Sequence, residues 1–147
     1  MHSLYLASKV STLFSPLFVL SSMTVGLTAS PHILEVVVTA YSSTPEQTEG
    51  DPTVTATGQS VRPGILAVSR DLLNTQLPYG TQVRILEIRA DEEGCGGYPT
   101  STVFEVQDTM AARIDNQVDI WMPNLQEAVA WGSCVATLEV VAYAAEE

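Results

Sequence analysis

The sequence predicts an all-β fold, a small closed barrel of six strands with one or two short helices. Short runs rich in Val, Ile and Thr alternate apolar with polar residues, and turn residues separate them. No helical pattern recurs between these runs, as a parallel α/β sheet would require. Six or seven such runs within roughly 117 residues suit a sheet that closes on itself.

Residues 1–30 form a separate region. A front carrying His2 and Lys9 leads into an uncharged, mostly apolar run that ends in Thr28, Ala29 and Ser30 before Pro31. This is the pattern of a secretory signal peptide, with an N-terminal anchor as the alternative, since residues 11–29 approach the length that spans a bilayer. Ser11, Ser15, Pro16, Ser21 and Ser22 dilute the apolar run and favour cleavage, and no cysteine follows it to take a lipid. Residues 31–147 are then one domain, exported to a periplasm, an outer membrane, or the cell envelope and exterior.

Along that domain, "ILEVVVTAYS" sets Leu34, Val36 and Val38 against Glu35, Val37 and Thr39, the period of a strand. A polar loop, "STPEQTEGDPT", follows. "VTATG", "GILAVS", "TQVRILEI", "STVFEV", "QVDIWM" and "CVATLEVVAYA" are the further strand candidates, with "VRPG" and "LPYG" as turns. Two stretches have helical character. Ser69 is placed to cap "SRDLLNTQ", and "PNLQEAVAWG" has Pro123 near its start and Gly132 at its end.

Charge narrows the function. In residues 31–147, five arginines face seventeen acidic residues, a charge of −12 that repels nucleic acid and anionic lipid. Neither nucleic acid nor stable membrane insertion of the mature domain is expected. Cys95, in the glycine-rich "EEGCGGYP", and Cys134 make an even pair, which in an exported protein reads as one disulfide. A metal site is not expected, because there is no Cys-x-x-Cys spacing and His32 is the single histidine of residues 31–147.

The candidate chemistry lies in "FEVQDTMAARIDNQVDIWM". By alternation Phe104, Val106 and Asp108 share one face, so a carboxylate ends an apolar row, and Asp119 sits between Val118 and Ile120. On spacing alone such aspartates read equally well as acceptors for backbone N–H groups.

Seven segments taken in order add to this: "VTAYSS", "TATG", "GILAVSRDLL", "LPYGTQVRI", "VQDT", "VDIWM" and "AVAWG". Together they resemble the three-aspartate (3D) domain family, whose fold also forms the catalytic barrel of membrane-bound lytic transglycosylase A. The resemblance covers roughly residues 35–142. It implies a double-psi β-barrel in which Asp71, Asp108 and Asp119 face a groove lined by Thr57 and Gly58. It also implies cleavage of the MurNAc–GlcNAc bond of peptidoglycan strands without water, leaving a 1,6-anhydro sugar, with no cofactor. Met110, Ala111 and Ala112 stand where the common family form has a glycine pair.

Such a reaction needs one carboxyl that is protonated near neutral pH, serving first as acid on the leaving oxygen and then as base for the 6-hydroxyl. A free aspartic acid, with a pKa of about 3.9, does not qualify unless burial or a nearby charge raises it. Asp119 is the expected acid/base, Asp108 its tuner and Asp71 a positioner or hydrogen-bond acceptor. Trp121, on the Asp119 side of its strand, is the candidate for stacking on a sugar. The alternative is a barrel of expansin-like type, which binds glycan or peptidoglycan in a similar groove without cutting it. An aspartic peptidase is disfavoured, because "DTM" replaces the Asp-Thr-Gly signature.

Overall fold

The computed structural model of the protein describes residues 30–47, 50–89, 95 and 101–145. The expected leader, residues 1–29, lies outside these, as does the "ADEEGCGGYPT" segment apart from Cys95.

Six strands and two short helices are present among the described residues. They are β1 (His32–Tyr41), β2 (Ile65–Val68), α1 (Arg70–Leu73), β3 (Gln82–Arg89), β4 (Val103–Thr109), β5 (Gln117–Trp121), α2 (Leu125–Trp131) and β6 (Cys134–Ala142). The strands close into a ring in the order β1-β5-β2-β4-β3-β6, and β6 pairs back onto β1. Two pairs are parallel, β1 with β5 and β2 with β4. The other four pairs are antiparallel.

The period-2 pattern explains the interior. Val36 and Val38, Leu66 and Val68, Val83 and Ile85, Phe104 and Val106, Val118 and Ile120, and Ala136 and Leu138 all point inward and form one buried core. Each strand thus contributes two residues two positions apart. Full burial of a Val or Leu side chain contributes roughly 1.5–3 kcal/mol, so this inner set holds the ring together. A charge introduced at Val118, which has no exposed surface, would break the core.

The helices close the ends. In α2 the Asn124 carboxamide accepts the backbone N–H groups of Gln126 and Glu127 at 2.8 and 3.3 Å. Gly132, at φ 78°, ends the helix where the sequence places its stop. α2 packs on β1, and its Ala128 and Trp131 join the core. α1 departs from expectation, since the Ser69 hydroxyl does not cap it. That oxygen instead accepts the Gln117 N–H at 3.1 Å, tying the end of β2 to the start of β5.

The strand expected over "VTATG" does not form. Only an isolated bridge between Val54 and Ser60 is present there. Gly58, at φ 81°, donates its N–H to the Thr55 carbonyl at 2.9 Å, which turns the chain too tightly for a strand. Cys95 and Cys134 form a disulfide with Cα atoms 6.1 Å apart, linking the β3–β4 connection to the start of β6.

Candidate functional site

Asp119 lies between Val118 and Ile120, both turned into the core, so its carboxyl points to the outer face of the ring. Register places its neighbours. Thr39 of β1 pairs with Asp119, Asp119 pairs with Ala67 of β2, and Ala67 pairs with Asp108 of β4. Register partners face the same side of a sheet, so Thr39, Asp119, Ala67 and Asp108 form one row across four strands.

Asp108 reaches this row through an irregularity that the alternation does not predict. Leu66 pairs with Val106, but the next pair is Ala67 with Asp108, leaving Gln107 as an extra residue. This bulge shifts the facing by one position. Phe104 and Val106 therefore enter the core, while Asp108 turns to the opposite face, the one that carries Asp119, with Ala67 between them. The expectation that Asp108 shares the Phe104 and Val106 face is overturned by this single inserted residue.

The two carboxyl groups have different surroundings. Asp108 accepts three hydrogen bonds: from the Tyr41 hydroxyl at 2.8 Å, the Ala56 N–H at 3.0 Å and the Thr109 N–H at 2.9 Å. Asp119 accepts only the Thr39 hydroxyl, at 2.8 Å on Oδ1, and its Oδ2 has no protein partner among the described residues. Burial pushes Asp119 up to about 6; the Thr39 bond offsets part of that rise and the nearby Asp108 charge adds to it. Burial, with Asp108 beside it, also pushes the Tyr41 phenol well above its ordinary range. The two carboxyls therefore differ in setting: Asp108 is surrounded by donors, while Asp119 is buried with one donor and its pKa is raised to about 6.

Asp71 stands apart from this pair. Its carboxylate accepts the Asn116 N–H at 3.0 Å, and hydrogen bonding from the Ser69 hydroxyl holds it below the usual range. Asn116 has φ 50°, so Asp71 braces a turn that has left-handed backbone just before β5. Its observed contacts fit the hydrogen-bond acceptor role.

The 53–61 loop lies over β4. Thr57 donates its hydroxyl to the Gln107 side chain and carbonyl, which anchors the loop to the bulged residue. Gly58 supplies the turn, and the group that reaches Asp108 is the N–H of Ala56. Trp121 does share the Asp119 face, but it is only 8% exposed and packs with Tyr41, Ile65 and Ala67. Its indole N–H donates to Ser43 at 3.0 Å, and Val61 and Met110 pack against the same cluster. Little of its ring remains for a sugar to stack on.

Thr39, Gln117 and Ala56 are site residues that sequence reasoning missed. Gln117 donates its amide to Thr39 at 2.9 Å, orienting the hydroxyl that serves Asp119. Thr39 was detectable as a polar residue on the face of its strand opposite Val36 and Val38. Ala56 acts through its backbone, which leaves no signature in residue type.

Beside Asp108 opens a shallow pocket of about 400 Å³ lined by Ala56, Arg70, Leu73, Asn74, Tyr79 and Thr109. The site therefore combines a buried acid of raised pKa, a second carboxyl on the same face and an adjoining hollow of mixed polar and apolar lining.

No protein-family model and no curated protein matches the chain. Among solved structures, the crystal structure of an apo expansin from Clavibacter michiganensis is similar at a TM-score of 0.46 and 17% identity, over 78% of this chain. The match covers 53% of the expansin, so the chain spans about half the length of that protein.

Proposed function

We propose that the chain is a 3D-type double-psi barrel that cleaves peptidoglycan glycan strands as a lytic transglycosylase, with Asp119 as acid/base. The observation that carries this is the asymmetry of the pair: three donors on Asp108 against one on Asp119, whose burial raises it to about 6. An acid whose pKa is raised toward neutrality, with a second carboxyl beside it, suits the departure of a glycosidic oxygen in mildly acidic conditions. Two parallel strand pairs within the closed ring support the barrel type.

In the proposed reaction, Asp119 gives its proton to the bridging oxygen as the C1–O bond breaks. Positive charge developing at C1 is stabilised by the nearby Asp108 carboxylate. The sugar's own 6-hydroxyl oxygen then bonds to C1, and its proton returns to Asp119. The acid is restored, no water is consumed, and the product is a 1,6-anhydro sugar.

The protein acts in the cell envelope or outside the cell on this reading. Among the described residues, no helix is long and apolar enough to cross a membrane.

The second reading is a glycan-binding barrel of expansin-like type without turnover. It is favoured by the donors on Asp108, two of which are backbone N–H groups, and that of Ala56 ties the 53–61 loop to β4, a structural task. Mass spectrometry of sacculi treated with the purified protein separates the two. Anhydro-muropeptides released by the wild type, abolished in Asp119→Asn and reduced less in Asp108→Asn, are the expected result. Retention on sacculi with no anhydro product favours the binder. Full activity in Asp119→Asn sinks the acid/base assignment.

A further inference from the structure

We infer that the pocket beside Asp108 is a subsite for a carboxylate borne by the glycan strand, with the Arg70 guanidinium as its anchor. This rests on the glycan reading above and adds the charge of the substrate to it.

Arg70 differs from most of the arginines in its partners. Arg62, Arg84 and Arg89 are ion-paired with Glu105, Glu139 and Glu35. The Arg70 side chain makes no hydrogen bond or ion pair with any described residue, and its neighbour Asp71 is occupied by Ser69 and Asn116. In a domain where seventeen acids outnumber five arginines, a cation with no partner among the described residues, at the edge of a concave site, is available to a ligand. A guanidinium matches a carboxylate with two parallel hydrogen bonds, a geometry that a neutral amide cannot meet.

The rest of the pocket suits a sugar ring. Tyr79, 38% exposed, offers an apolar face while its hydroxyl is held by that of Thr109. Asn74 adds amide donors and an acceptor on the Arg70 side. The pocket also adjoins the acid pair, because the N–H groups of two lining residues, Ala56 and Thr109, both bind Asp108. A sugar seated there is next to the one being cut. Two carboxylates of peptidoglycan meet this chemistry: the lactyl carboxyl of a muramic acid stripped of its peptide, and the carboxyls of an intact stem peptide.

The test measures binding of wild type, Arg70→Gln and Arg70→Lys to two substrates. These are glycan strands stripped of stem peptides and intact peptidoglycan fragments, each before and after conversion of carboxyls to neutral methylamides. Wild type should bind at least one untreated form about five- to tenfold more tightly than its amidated partner, the effect of a partly exposed, two-pronged pair. Arg70→Gln should bind both forms equally, and Arg70→Lys should keep part of the preference. Preference confined to stripped strands identifies the lactyl carboxylate; preference confined to intact fragments identifies the stem peptide. Equal binding of untreated and amidated forms by wild type overturns the subsite and leaves the glycan reading standing. A preference that survives Arg70→Gln also overturns it. Binding of none of the four ligands by wild type overturns the subsite and the glycan reading together.

Discussion

Replacing Asp119 by asparagine should make the protein more stable at neutral pH and leave it unchanged in acid. Burial raises the Asp119 pKa from 3.8 to about 6, so the folded state holds this proton more tightly than the unfolded chain does. Stability from the protonated carboxyl is fully present below about 3.8 and is lost as pH rises through about 6. A shift of roughly two units corresponds to about 3 kcal/mol of that loss. Asparagine has nearly the same shape, cannot ionise, and can still accept the Thr39 hydroxyl on Oδ1. The variant's advantage should thus be near zero at pH 4, grow between pH 4 and 6, and level off near ~3 kcal/mol at pH 8. For a domain of this size that is on the order of 10 °C in Tm. Urea unfolding of both proteins at each pH gives the difference, in which the titration of distant groups cancels. A difference that is flat with pH, or a wild type that gains on the variant as pH rises, refutes the reasoning about this carboxyl.

Other outcomes follow from the same structure. Cleavage activity should fall as pH rises above about 6, because the Asp119 proton is then lost, and the pH–rate profile checks this. Tyr41→Phe removes one of three donors to Asp108 and should cost about 1–3 kcal/mol in urea unfolding. Reduction of the Cys95–Cys134 bond, which spans 39 residues, should cost ~3–4 kcal/mol, and thiol labelling of the unreduced, denatured protein should find no free cysteine at either position. Asn124→Ala should lower stability by ~1 kcal/mol through loss of the α2 cap, whereas Asn124→Asp should be near neutral.

The strands were legible because alternation is a local property. Val36 and Val38, or Ala136 and Leu138, declare an inward face without reference to any partner. The order of the ring was not legible in this way. That β1 lies between β5 and β6 depends on pairings with residues far along the chain, and the parallel register of Thr39 with Asp119 has no local signal. The identities of Asp108 and Asp119 were readable, but the face of Asp108 was not, since an extra Gln107 looks like any other residue of an alternating run. "VTATG" misled in the opposite direction. Its β-branched residues suit a strand, yet Gly58 closes a turn there that places Ala56 over Asp108. The value of Trp121 was misjudged because alternation fixes the side of a sheet and says nothing of what covers it; here Tyr41, Val61 and Met110 pack around the ring.

Ring closure has a consequence in time. Among the described strands β1 is the first made, yet its two partners are β5 and β6, the last two. A chain emerging N-terminus first must keep β1 unpaired on both sides until almost all of it is available, with Val36 and Val38 exposed to whatever is nearby. Pairings between such distant segments are entropically slow to find, so folding should fall toward the slow end for domains of this length, milliseconds to seconds. The last strand also carries Cys134, so the covalent bond to Cys95 can form in native register only once β6 has arrived. Oxidation then acts as a latch on a finished ring, and a thiol trapped before that moment would mark the chains still waiting for their final strand.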